Sequence, residues 1–155
     1  MSLDGPDIQF PTKSCSREMA KPKRGAWKQI KKMARYLVGR KRVVWKYCWQ
    51  AEVERAMVYT DSDWGGNIKD RRSTSGGAWM LGGHCIKTWS ATQGAFALSS
   101  AEAELYAMVE GATRSKGLIS LAKELGFDNL ILSFELGTDS SAAKSFVHRR
   151  GLGKM

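Results

Sequence analysis

The chain has 155 residues, 43% hydrophobic and 26% charged, with a net charge of +10 at pH 7. Those proportions exclude a disordered chain, and no apolar run approaches the roughly 20 residues that cross a bilayer. The first residues, with Asp4 and Asp7, lack the basic start and apolar stretch of a secretion signal, so a cytosolic or nuclear protein is expected, with no membrane partner.

The length suits one compact core with an appended element. Cys15, Cys48 and Cys85 are odd in number and widely spaced, which predicts reduced thiols and neither a disulfide framework nor a zinc site. The positive charge is concentrated: residues 1–55 carry 14 Lys and Arg against 5 Asp and Glu, and residues 56–155 carry 11 against 10. A surplus of that kind attracts polyanions, so nucleic acid is the first partner to consider, against the plainer reading of a solvated basic face.

In chain order, residues 24–38 form an amphipathic pattern in which Trp27, Ile30, Ala34 and Leu37 recur at steps of three and four, with Lys28, Lys31, Lys32 and Arg35 outside the stripe. A helix is expected, ended by Gly39, with Trp27, Ile30 and Leu37 buried. Residues 21–32 also match the pattern of a nuclear localisation signal, which is common by chance. Residues 43–49 are rich in β-branched and aromatic side chains and read as a strand. Near residue 55 the texture changes, which suggests two parts: residues 1–55, a basic helix and strand, and residues 56–155.

In the second part, residues 56–60 read as a strand and 61–75 as a polar loop with Gly65, Gly66 and Asn67. Residues 77–81 and 85–89 read as a hairpin around Gly82 and Gly83. Ser99 opens a long helix ending near Leu125, with Gly126 as its stop; residues 130–137 give a fourth strand, and Ser140 or Ser141 caps a helix through Val147. The order β-β-β-α-β-α predicts an α/β fold with a mixed sheet and flanking helices.

Asp61 and Asp139 fall at predicted strand ends and Glu104 in the first turns of the long helix. Were strands one and four neighbours, their ends would bring two carboxylates together and the helix would deliver the third. Hard oxygen ligands of that kind suit Mg²⁺, and two such ions about 4 Å apart can activate a water and stabilise a departing phosphodiester oxygen. Acids at turns and helix starts also occur for purely local reasons. Ser99 and Glu102 have the spacing of a capping box, which gives Glu102 a structural duty; Glu104, with Ser100, Ala101, Ala107 and Met108 around it on the helix, has none and is preferred. Asp61 and Asp63 share a strand face, so either can ligate, with Asp61 the first choice.

Y-T-D-S-D-W-G-G at 59–66, R-R-S-T-S-G-G at 71–77, M-L-G-G at 80–83, I-K-T-W-S at 86–90, A-L-S-S-A-E-A-E-L-Y-A at 97–107 and T-D-S-S-A-A at 138–143 resemble, in order, the ribonuclease H domain of copia-type retrotransposon Pol polyproteins. Residues 1–55 look, more loosely, like the tail of the preceding reverse transcriptase region. The resemblance implies a ribonuclease H-like fold and a metal-dependent endonuclease that hydrolyses the RNA strand of RNA–DNA hybrids. It implies Asp61, Glu104 and Asp139 as catalytic metal ligands, two Mg²⁺ ions with Mn²⁺ as substitute, and the rest of the polyprotein as partner. It also implies a fourth carboxylate, a fifth strand and a final helix beyond Met155, so the domain reads as C-terminally truncated. The alternative is a catalytically impaired nucleic-acid-binding remnant of a degraded element.

Arg71, Arg72, Ser73, Thr74 and Ser75 are candidates for phosphate contact, against an ordinary polar loop. Trp64, Trp79 and Trp89 are expected to pack in the core or hairpin rather than stack on bases. His84 beside Cys85 is expected to be structural, and His148 has no assigned role.

Overall fold

A computed structural model of the chain describes residues 5–51, 53, 55–127 and 133–149. A 3₁₀ turn at Pro6–Ile8 leads into α1 (Gln9–Ser16), followed by α2 (Arg24–Gly39), β1 (Arg55–Asp63), β2 (Thr74–Leu81), β3 (His84–Thr92), α3 (Ser100–Glu124), β4 (Ser133–Gly137) and α4 (Ser141–His148). The sheet runs β3-β2-β1-β4. β1 is antiparallel to β2 and parallel to β4, and β2 is antiparallel to β3. This is the expected mixed α/β sheet with flanking helices, consistent with a ribonuclease H-like fold. The expected start of the fourth strand at residue 130 lies outside the described residues.

Alternation along β1 buries Ala56, Val58 and Thr60 on one face. Ala56 and Val58 join Trp79 and Trp89 in the core, against Leu118, Ile119 and Ala122 of α3 and Phe134 and Leu136 of β4. Gly111 lets α3 approach the strands: a Cβ there would lie 2.5 Å from Thr60 Cγ2. A helix-interior glycine costs about 1 kcal/mol relative to alanine, and close packing against a stiff β-branched side chain offsets it. Gly111→Val is therefore expected to lose about 1–3 kcal/mol through overpacking, read as a lower urea midpoint. It should also displace Glu104, which lies two turns earlier on the same helix.

The other sheet face is partly covered by α1, whose Gln9 Nε2 donates to Thr88 O (3.4 Å), Lys13 Nζ to Thr74 Oγ1 (2.9 Å) and Arg17 to the Thr92 hydroxyl. Among the described residues no helix is long and apolar enough to cross a membrane. Cys15, Cys48 and Cys85 are free thiols.

Two expectations in the basic segment are corrected. The 24–38 helix forms, but its apolar stripe faces outward: Trp27 is 60% exposed, and Ile30, Ala34 and Leu37 are also exposed. Periodicity identifies which residues share a face, not which face is covered. α2 meets α1 instead through Gln29 and Met33, which contact Cys15 and Thr12, and meets the preceding 3₁₀ turn through Tyr36, whose hydroxyl donates to Asp7; Ala26 is its one buried residue. Residues 43–49 form no strand. They meet the start of β3 through side chains and not through a backbone ladder: Tyr47 OH donates to Cys85 O and its ring packs edge-on against His84, His84 Nε2 meets Cys48 O, and beyond them Gln50 bridges Leu81 O and Gly83 N.

Candidate metal centre

The strands run further than the sequence predicts, which places Asp61 inside β1 and not at its end. Parallel pairing of Tyr59 with Gly137 sets the geometry. Two residues beyond each member of that pair stand Asp61 and Asp139, brought level because parallel neighbours advance together. Asp139 sits in a short turn in which Thr138 Oγ1 accepts from Ser140 N (3.2 Å), and Ser140 Oγ then caps α4 by accepting from Ala143 N (3.1 Å). Glu104 arrives from the second turn of α3. One carboxylate oxygen from each of Asp61, Glu104 and Asp139 lies within 4.8 Å of the others.

Glu104 is 9% exposed, whereas both aspartates are open to solvent. Its Oε1 accepts from Ser62 N (3.0 Å) and Ser62 Oγ (2.6 Å). β4 pairs with β1 only as far as Tyr59, so the edge of β1 beyond it is free to offer the Ser62 N–H to a side chain. The other oxygen, Oε2, is buried without a hydrogen-bond partner. A buried carboxylate oxygen left unpaired carries a desolvation cost of a few kcal/mol, which a bound cation would remove. Three carboxylates, one of them so held, fit a hard divalent ion.

Glu102 has the local duty expected of it. Its N–H donates to Ser99 Oγ (3.2 Å) and its carboxylate reaches back to Leu98 N (2.8 Å) and accepts from Tyr106 OH (2.7 Å). Tyr106 and then Leu98 hold its pKa below the ordinary value. Asp63 stands apart from the trio, its carboxylate lying over Gly66, where a Cβ would come within 1.8 Å of Oδ2.

The 71–75 segment divides. Arg71 is exposed, with φ of 53°, and Arg72 lies over the Phe96 ring at 5.2 Å. Ser73 and Ser75 are fully buried and Thr74 nearly so, which corrects their assignment as phosphate contacts. Ser73 Oγ accepts from Gly65 N, Ser75 Oγ from Gln93 Nε2, and Thr74 Oγ1 from Lys13. They belong to β2 or its start, and their hydroxyls close internal bonds. Trp79 and Trp89 are core residues as expected, while Trp64 is half exposed with its Nε1 on Ala97 O. His84 is held by Cys48 O. His148, the last residue of α4, is exposed.

Three residues here escaped the sequence reading. Ser62 orients Glu104. Gln93, buried, ties Ser75 Oγ to Ala103 O at the start of α3. Lys13 shares a cleft of about 250 Å³ with Asp63 and Thr74. Burial, and secondarily Arg17, lowers the Lys13 pKa from 10.5 to about 8, against the opposing pull of Asp63 and Glu110. Between about pH 8 and 10.5 the unfolded chain keeps a proton that the folded chain has lost, so this residue makes stability rise with pH across that window. Urea midpoints measured across it are expected to rise less steeply in Lys13→Met than in the parent chain.

No protein-family model matches the chain. It is 32% identical over 110 residues to a protein named secreted RxLR effector protein 161 of Plasmopara viticola, covering 71% of this chain and 77% of that protein. It is 30% identical over 128 residues to the retrovirus-related Pol polyprotein from transposon RE2 of Arabidopsis thaliana, and 31% over 121 residues to that from transposon TNT 1-94 of Nicotiana tabacum. These matches take in 81% and 78% of this chain but 9% of each polyprotein. The matches to transposon Pol polyproteins mark this mixed-sheet domain, whose sheet and long helix gather three acids, as a retroelement-derived protein. The chain belongs to the family of the Plasmopara viticola protein, and about four fifths of it is similar to a short region of retrotransposon Pol polyproteins.

Proposed function

We propose that the chain carries a metal-dependent endonuclease of ribonuclease H type, which hydrolyses the RNA strand of RNA–DNA hybrids as part of a larger polyprotein, in the cytosol or nucleus. The observation that carries the reading is the meeting of Asp61, Glu104 and Asp139 within 4.8 Å, with Glu104 Oε2 buried and unpaired. Asp61, Glu104 and Asp139 would hold Mg²⁺, or Mn²⁺ in its place. Bound there, two ions would supply an activated water and charge stabilisation at the departing oxygen.

The chain's own groups supply position. Ser62 fixes one oxygen of Glu104 and leaves the other without a hydrogen-bond partner. The two aspartates lie open to solvent, where a phosphate backbone can approach, and the exposed Arg71 stands on the loop between β1 and β2. Discrimination against DNA duplexes would rest on the 2′-hydroxyls of the RNA strand.

The test is single-turnover incubation of excess protein with an end-labelled RNA–DNA hybrid and with a DNA duplex of the same sequence. Mg²⁺-dependent products from the RNA strand alone are expected. A catalytically silent remnant would bind the hybrid and yield none, and products from the DNA duplex would refute the substrate.

A further inference from the structure

From Met19 to Gln50 the chain has 11 Lys and Arg and no Asp or Glu. Every one of those cations is exposed, and among the described residues none forms a salt bridge. Interleaved with them are five exposed aromatic residues: Trp27 (60%), Tyr36, Trp45, Tyr47 and Trp49 (92%). Lys31 lies 5.6 Å from the Trp27 ring and Arg40 5.7 Å from the Tyr36 ring, so a charge stands beside a ring at two points of the segment. Trp45 and Tyr47 are stacked, with centroids 6.5 Å apart.

Three occupants of this surface compete. A merely solvating face has no use for five exposed rings, each of which leaves large apolar area in water. A protein partner fits less well, because interface cores take up aromatics and Arg but are depleted of Lys, and seven of the eleven cations here are Lys. Nucleic acid satisfies both features, since its phosphates match the charge and its bases match the rings. A duplex keeps its base faces stacked inside. A single strand presents them.

We infer that α2 and the extended segment after it form a sequence-tolerant binding surface for single-stranded nucleic acid, separate from the carboxylate cluster and independent of the nuclease reading. The extended part of the surface adjoins the β2–β3 turn. The carboxylates lie near the other end of the sheet, about 20 Å along β1 at 3.3 Å per residue. α2 lies toward the carboxylate end, where its Gln29 lines a cleft with Asp63.

The experiment is fluorescence anisotropy of the full chain with a labelled oligothymidylate of about 15 nucleotides, in EDTA so that no metal site contributes. Binding is expected, with quenching of tryptophan emission and a salt dependence of about 0.7 in log K per log salt for each phosphate engaged. Trp27→Ala combined with Trp49→Ala is expected to weaken it at least tenfold while leaving the salt slope unchanged, because each lost stack is worth about 1–3 kcal/mol. Both rings are exposed, and an unchanged thermal melt will show that the fold is kept. Binding of a DNA duplex should be indifferent to the same pair. Oligothymidylate affinity that is the same in the double variant would overturn the inference in favour of simple charge attraction. Absence of binding together with self-association of the chain would overturn it in favour of a protein occupant.

Discussion

Asp61→Asn and Glu104→Gln should each reduce Mg²⁺-dependent scission of an RNA–DNA hybrid by about a hundredfold to a thousandfold, the scale on which one electrostatic contributor to a reacting centre acts. Hybrid affinity in EDTA should stay within about twofold of the parent chain, because neither substitution touches the basic surface. Glu104→Gln is the sharper of the two. An amide oxygen can still accept from Ser62 N and Oγ, so the helix and strand stay joined, while the amide nitrogen takes the place of the oxygen that lacks a partner. Without metal the variant should therefore melt at or above the parent temperature, since one of three neighbouring like charges is gone. With metal the order should reverse. A ligand at a hundred times its Kd stabilises the folded state by about 2.7 kcal/mol, which for a chain of this size is a rise of several degrees that only the parent would show. An equal Mg²⁺- or Mn²⁺-induced shift in the variant would sink the assigned site.

How much of this was legible in the sequence follows from which interactions are local. Ser99 and Glu102 announce the start of α3, and Gly126, with φ of 83°, marks its end, because capping and left-handed turns are decided within a few residues. The Gly82–Gly83 hairpin is legible for the same reason. The preference for Glu104 over Glu102 rested on local chemistry too, since a glutamate committed to a capping box is not free to ligate. The role of Ser62 was not legible: its N–H is available only because β4 stops at Gly137, opposite Tyr59 and three positions short of Ser62, and that is a fact about another part of the chain. Lys13 owes its lowered pKa to the seating of α1 on the sheet, which no motif encodes. The burial of Ser73 and Ser75 likewise depends on Gln93 and the Gly65 turn closing over them. α2 is the converse case: its apolar stripe shows which residues share a face, but burial of that face depends on a covering element elsewhere in the chain, and Trp27 stays exposed.

Ser62→Ala is the variant that separates orientation from ligation. Ser62 does not belong to the carboxylate trio, yet its hydroxyl makes the shorter of the two bonds that hold Glu104 Oε1, at 2.6 Å. Removing that hydroxyl leaves Oε1 with the Ser62 N–H alone, so the carboxylate can rotate between its two oxygens and present either to the cluster. Groups that orient metal ligands typically account for tenfold to a hundredfold in metal affinity or activity, and Ser62→Ala is expected to raise the Mg²⁺ concentration for half-maximal cleavage by about that factor. At saturating Mg²⁺ most of the rate should return, since excess metal selects the ligating orientation, and the KM for hybrid should not move. Loss of one hydrogen bond to a carboxylate costs about 1.5–3 kcal/mol at most, so the fold should survive. Ser62→Thr keeps the hydroxyl in a residue suited to a strand and should recover the parent metal dependence. A merely structural serine would lower stability in Ser62→Ala without shifting the Mg²⁺ midpoint. That result, or a threonine variant as impaired as the alanine one, would remove Ser62 from the site.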